Sequence, residues 1–171
     1  MKVHLGPYKK NRKVEVRIDD YDVWGLDHTL ALIIHPALIK LKECKHGDPN
    51  VDDEDVPEEL RSTAAEPTEN EWDTDDNWSK RWDWVLDEMI WTFKQCADDD
   101  HGDSQFHHNS DQLDIDFDGS DDSEYKTLKI NRQKDPSKPA YWVDEEGKNA
   151  HYDRIKNGLK FFGKYYFGLW D

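Results

Sequence analysis

The basic and aromatic side chains in the middle of the chain are the first candidates for chemistry. Residues 45–125 contain 27 Asp and Glu but only 5 Lys and Arg, and the same stretch holds five tryptophans. Lysine and arginine bind phosphate groups, and a tryptophan face stacks on a nucleotide base. These residue types predict a pocket walled by Trp and Arg that binds a nucleotide. Its candidate residues are Lys45, His46, Arg61, Trp78, Arg81, Trp82, Trp84 and Trp142.

The same residue types also have ordinary structural roles. Scarce cations in an acidic segment pair with neighbouring carboxylates, and tryptophans are more often found in a core than in a site. Both interpretations stay open from the sequence.

A second group of side chains has the composition of a metal site. Asp83 and Asp87 are one helical turn apart with Glu88 adjacent, and His28 follows Asp27 at the start of an earlier helix. Carboxylates and an imidazole on two helices could bind a divalent ion in a phosphohydrolase. The spacing matches no dedicated metal motif, so a solvated helix face is the alternative.

Residues 114–119 (DIDFDG) match the first half of a calcium-binding EF-hand loop. The twelfth position of that loop falls on Tyr125 instead of an acidic residue, and Glu124 is one position early. We therefore expect the acidic outer face of a hairpin here. The chain has no Walker-type loop, Rossmann fingerprint, GxSxG or zinc spacing, so the sequence predicts no cofactor and favours a non-enzymatic role.

Charge restricts the partners of this chain. The net charge is -16, and the excess of carboxylates lies in the middle. Such a surface repels phosphate backbones and anionic lipid, which disfavours direct nucleic-acid binding and membrane binding. It attracts a basic partner, although acidity can also serve solubility alone.

The two cysteines and the apolar runs indicate the compartment. Cys44 and Cys96 form neither a CxxC pair nor a disulfide framework, and we expect free thiols. The first ten residues (MKVHLGPYKK) have no apolar signal region, and the longest apolar run, 30–34, is far shorter than a membrane span. The sequence thus predicts a soluble protein of a reducing compartment.

Periodicity places these residues on a small set of elements. Alternation over 3–5 and 14–18 predicts an N-terminal hairpin, and residues 113–118 and 125–130 predict a second one. Helical spacing predicts helices over 26–45, kinked or restarted at Pro36, and over 78–97, with a short helix at 55–61. Residues 98–112 are expected to form a surface loop. A strand at 141–143 and a last helix from about residue 149 complete the pattern.

The fold class predicted from these elements is α+β. Two long helices and a C-terminal helix are expected to pack on short antiparallel strands in a single domain, 1–171. The acidic loops are placed at about 48–77 and 98–112.

Five segments in order resemble a family of small, uncharacterised, acidic proteins encoded by tailed bacteriophages. They are 27–34 (DHTLALII), 45–47 (KHG), 51–57 (VDDEDVP), 81–90 (RWDWVLDEMI) and 162–171 (FGKYYFGLWD). The resemblance covers most of the chain and is weakest over 98–140. It implies a viral protein in the cytoplasm of an infected bacterial host, but the family has no assigned activity. Small phage proteins often bind and block host factors, including defence systems, and that association implies a similar role here.

These observations lead to one functional hypothesis and three alternatives. The first is a non-enzymatic phage accessory protein that neutralises a host factor in an anti-defence role, by sequestering a nucleotide signal in the Trp/Arg pocket or by blocking a host protein. The alternatives are an acidic nucleic-acid mimic that inhibits a DNA-binding host protein, a metal-dependent phosphohydrolase and a minor virion component. The expected partners are a host protein or a small nucleotide ligand, and a homo-oligomer remains open.

Overall fold

The chain begins with the predicted hairpin. In the computed structural model, which describes residues 1–7, 10–70, 72–118 and 127–170, β1 (Lys2–Leu5) pairs antiparallel with β2 (Val14–Arg17). Val3 lies opposite Val16, and the Gly6 amide donates to the Lys13 carbonyl oxygen (2.9 Å). The alternating pattern therefore predicted this hairpin correctly.

The chain divides into two compact units. The first comprises Met1–His101 with Arg154–Asp171, and the second is Gly102–Asp153. The expectation of a single domain stays a prediction.

Two consecutive helices follow the hairpin. They are α1 (Asp20–Trp24) and α2 (Leu26–Cys44). A kink or a restart was predicted at Pro36, and because helix α2 continues through this residue, the restart does not occur. Proline removes one amide from the hydrogen-bond ladder, but Ala31 and Leu38 on either side of it are buried and hold both turns against the core.

Helix α3 (Trp78–Cys96) is the centre of the first unit, as predicted. Its spacing of apolar residues places one face in the core, where Trp82, Val85, Leu86, Met89 and Phe93 are buried. Helix α2 packs against α3. Helix α4 (Glu145–Lys164) begins four residues earlier than predicted, and its later part supplies Phe161 to the same core.

Between α2 and α3, the described residues (45–70 and 72–77) contain 3₁₀ turns at Asp53–Asp55, Glu58–Leu60 and Ser62–Ala64 and no α-helix or strand. The helix predicted over 55–61 was therefore wrong. Pro57 lacks an amide proton and restricts Val56 to the extended conformation that it adopts, which prevents a continuous helix. Val51 and Val56 are nevertheless buried in the core, so this acidic segment is attached to the first unit.

The described part of the second unit, 102–118 and 127–153, contains two short antiparallel strand pairs. Strand β3 (His107–His108) pairs with β6 (Trp142–Val143), and β4 (Asp114–Asp118) pairs with β5 (Thr127–Asn131). The second pair confirms the hairpin predicted there. Gly119 and Tyr125 of the EF-hand-like sequence lie outside the described residues.

The stretch 98–112 is more ordered than the expected surface loop. It contains 3₁₀ turns at Asp103–Phe106 and Ser110–Gln112 in addition to β3, and Gln112 is buried. The Gln112 side-chain oxygen accepts a hydrogen bond from the Asp135 amide (3.0 Å), which explains how a polar residue is tolerated there.

The described residues form a mixed α+β structure, 52% helical and 13% strand, and this confirms the predicted class. No described helix is both long enough and apolar enough to span a membrane.

Candidate functional site

Arg81, one of the candidates for binding phosphate, forms its hydrogen bonds inside the protein. It lies in the first turn of α3, where Nη1 and Nη2 donate to the two carboxylate oxygens of Asp75 (2.9 and 2.7 Å). Nη1 also donates to the Leu60 carbonyl oxygen (3.2 Å), and the side chain is 3% exposed. The hydrogen bonds from Arg81 lower the pKa of Asp75. Arg81 therefore joins α3 to the preceding acidic segment.

Lys45 and Arg61 also have carboxylate neighbours. Lys45 lies between Asp48 (2.5 Å) and Asp83 (3.2 Å) and is largely buried. Arg61 is half-buried at 3.7 Å from Glu58, and His46 is exposed. Lys45 and Arg81 thus pair with neighbouring carboxylates, which is the ordinary structural role considered for these cations from the sequence.

The predicted tryptophans have different environments. Trp82 is fully buried and contacts Tyr165 edge-on, so it presents no face to a ligand. Trp84 is half-buried with its ring edge-on to Phe161. Trp142 belongs to the second unit, where it stacks on His108 at 4.2 Å between ring centroids.

Trp78 is the predicted tryptophan that shares a cavity with Arg81. Its indole donates to the Asp48 carbonyl oxygen (3.2 Å). The cavity has a volume of about 480 Å³, and we call it the acidic depression. Its lining residues are Asn50, Val51, Asp52, Asp53, Glu54, Ser62, Asp75, Trp78 and Arg81.

The charges of the acidic depression are mostly negative. Four carboxylates line it, from Asp52, Asp53, Glu54 and Asp75, and its guanidinium is already bound to one of them. Hydrogen bonds from the Ser62 hydroxyl and amide lower the pKa of Asp53, so this group is ionised at neutral pH. The arrangement attracts cations and repels phosphate.

A buried cluster supports the depression from the core side. The Asp55 carboxylate receives hydrogen bonds from the Lys164 ammonium group (2.5 Å) and the Tyr165 hydroxyl (2.5 Å). Burial alone would raise the pKa of Asp55, but these two donors outweigh it and lower the pKa. Burial and the bond to Asp55 raise the pKa of Tyr165 to about 12. Lys164 also contacts Asp52 (2.6 Å), which connects the cluster to the depression.

The candidate metal ligands are held in separate ion pairs. Asp83 pairs with Lys45, Asp87 with Lys42 (2.5 Å), and Glu88 with Arg154 (2.7 Å). His28 faces Asp99 at 3.9 Å. Within the described ranges, no group of three or more His, Cys, Asp or Glu side chains could hold a metal ion.

A polar network in the second unit was missed by sequence reasoning. His107 Nε2 lies 2.8 Å from the Asp103 carboxylate, and Nδ1 lies 2.5 Å from the Tyr141 hydroxyl. Lys148 also pairs with Asp103 (2.9 Å) and, as the main cause, lowers its pKa. The spacing of four residues between Asp103 and His107 was the available signal, but their 3₁₀ turn was not predicted. An imidazole between a phenol and a carboxylate can transfer a proton or orient the phenol.

The fold and the cavities thus define an α+β protein with an acidic, Trp-containing depression. Comparisons with protein-family models, with curated proteins and with solved structures found no match.

Proposed function

We propose that this is a non-enzymatic phage protein that neutralises a host factor by binding a basic surface of a host protein through its acidic segment, 52–76. The role combines the blocking of a host protein with the acidic mimicry of nucleic acid considered from the sequence. One observation carries it. The acidic depression is lined by four carboxylates, and the guanidinium of Arg81 in its wall is already paired with Asp75.

Exposed carboxylates extend this charge beyond the depression. The side chains of Glu54 and Glu58 are 81% and 87% exposed, and Glu59, Glu66 and Glu69 are also exposed. Carboxylates on an ordered segment can occupy positions where a DNA-binding protein expects phosphates, at little entropic cost. Val51 and Val56 in the core fix the part of the segment that carries Glu54.

The test is capture of host proteins from bacterial lysate over a range of salt concentrations. We expect basic, nucleic-acid-binding proteins to be retained at low salt and released steeply as salt rises. The variant Glu54→Gln/Glu58→Gln/Glu59→Gln should lose this binding. Its matched control, Glu43→Gln/Asp114→Asn/Asp116→Asn, removes the same charge from exposed positions elsewhere and should retain it. If the two variants captured the same host proteins in equal amounts, the proposal would be contradicted.

A nucleotide signal bound between Trp78 and Arg81 is the second candidate. In its favour, the two predicted residues do line one cavity, and the buried Nε of Arg81 has no hydrogen-bond partner. Against it, phosphate would have to displace Asp75 among three further carboxylates. Thermal unfolding with cyclic dinucleotides and nucleoside triphosphates separates the two candidates, because a ligand of the native state raises the unfolding temperature. A rise that disappears in Trp78→Phe would favour the nucleotide.

A further inference from the structure

Two aromatic rings on α1 are unusually exposed for their size. Tyr21 and Trp24 are 81% and 86% exposed, with ring centroids 6.3 Å apart and planes 30° apart. This short helix is attached to the protein through Asp22, which pairs with the N-terminal ammonium group of Met1 (2.5 Å), and both groups are largely buried. Exposed aromatic rings on an anchored element are typical of interaction sites.

The two rings border a cavity of about 340 Å³ at the start of α2. Its polar wall contains two aspartates. The Asp27 carboxylate lies 3.9 Å from His101 Nε2, and the Asp99 carboxylate lies 3.9 Å from His28 Nε2. Among the described residues that line this cavity, none is lysine or arginine. Aromatic faces combined with two carboxylates, in a cavity wall without lysine or arginine, favour a bound cation through cation–π and ionic attraction.

A second cavity adjoins the first. It has a volume of about 420 Å³, shares Asp27 and His101 with the first, and is otherwise apolar. Phe93 and Ile155 are almost fully buried in its wall, while Leu30 and Leu159 are 41% and 44% exposed. An aromatic cavity with two carboxylates and a largely apolar cavity therefore lie side by side on the first unit.

We propose that this pair of cavities docks a short segment of a protein partner in which a lysine or arginine is adjacent to a large apolar residue. The basic head lies against Trp24 and Tyr21 and pairs with Asp27 and Asp99. The apolar side chain enters the second cavity between Leu30 and Leu159. Charge complementarity selects this occupant, because both the cavity and the chain as a whole, at -16, are acidic. The site is separate from the acidic depression and does not rest on the proposed function.

Short peptides test the site directly. Acetyl-leucyl-arginine amide is titrated into the intact protein while NMR follows the indole N–H of Trp24. We expect a saturable shift, and binding weaker by about five-fold with acetyl-leucyl-citrulline amide, which has the same shape without the charge. Acetyl-alanyl-arginine amide should also bind more weakly, because it leaves the second cavity unfilled.

Variants locate the binding on the protein. Trp24→Ala and Asp27→Asn should reduce peptide affinity, measured by the shifts of neighbouring amides, and exposed Trp24 can be removed without loss of the fold. The controls Phe167→Ala, at an aromatic residue that is 92% exposed, and Asp116→Asn, at an exposed carboxylate outside both proposed sites, should have no effect. Equal affinity for the arginine and citrulline peptides, or binding unaffected by Trp24→Ala, would overturn the proposal. Because the assay uses no host protein, its result is independent of the capture experiment.

Discussion

Gly158 of α4 packs directly against Thr92 of α3. A β-carbon at Gly158 would overlap the Thr92 hydroxyl and lie 2.7 Å from Thr92 Cβ. Thr92 is itself fully buried, and its hydroxyl oxygen has no hydrogen-bond partner. The absence of a side chain at Gly158 is therefore what permits α3 and α4 to approach here.

Gly158→Ala should destabilise the protein by about 1–3 kcal/mol, because the methyl group forces the two helices apart. Gly163→Ala is the matched control in the same helix, since a β-carbon there meets nothing within 4 Å. That control should be neutral or stabilising by up to about 1 kcal/mol, because alanine favours helix. Denaturant unfolding measures both, and equal stability of the two variants would contradict the close packing.

Asp75→Asn should lower the free energy of unfolding by about 3–5 kcal/mol, because it leaves the buried guanidinium of Arg81 without its anion. Asp76→Asn changes the neighbouring, exposed carboxylate and should remain within about 0.5 kcal/mol of the parent. The pKa of Asp75 is lowered in the folded state, so its contribution is present above the ordinary value of about 3.9. That contribution is lost as pH falls through the lowered pKa. Denaturant unfolding should therefore show that the free energies of unfolding of the two variants become equal at acidic pH.

Tyr165→Phe should cost about 1–3 kcal/mol, because Asp55 loses a donor and the Asp52 amide loses its acceptor. Tyr166→Phe, at an adjacent tyrosine that is 57% exposed, is the control and should be nearly neutral. The folded pKa of Tyr165 is raised to about 12, so the hydroxyl stabilises fully below the ordinary value of about 10. The difference in free energy of unfolding between Tyr165→Phe and the parent protein should therefore become smaller as pH rises from 10 towards 12. A constant difference would contradict this assignment.

Trp82→Ala should destabilise the protein by about 3–5 kcal/mol, because the indole fills the core between α3 and the end of α4. Trp72→Ala removes an indole that is 89% exposed and should change stability by less than about 0.5 kcal/mol. Thermal and denaturant unfolding measure the difference in stability between these two variants. Near-parent stability of Trp82→Ala would return Trp82 to the candidates for ligand binding.

Asp103→Asn should weaken the second unit locally, because the carboxylate holds both Lys148 and His107. We expect faster hydrogen exchange at the amides that pair β3 with β6. Asp111→Asn, at a carboxylate whose side chain is 64% exposed, should leave that exchange unchanged. Equal exchange in the two variants would show that the network is dispensable.

Elements with a local pattern could be read from the sequence. The apolar residues of α3 recur at helical spacing, and apolar and polar residues alternate along the strands of the two hairpins. Both periods follow from the geometry of the backbone. The acidic 3₁₀ turns and β3 have too few residues to show a period, so a helix over 55–61 and a loop over 98–112 fitted the local sequence equally well.

The sequence by itself determined the acidity of the chain, the central position of α3 and the types of side chain available to a site. Only the tertiary structure decided their roles. Trp78 and Trp82 are one helical turn apart, yet the first lines a cavity and the second is in the core. Asp55 is buried because Lys164 and Tyr165, 109 and 110 positions later, supply its hydrogen bonds. Such pairings depend on the path of the whole chain, so no local pattern encodes whether a carboxylate or an arginine remains available to a partner.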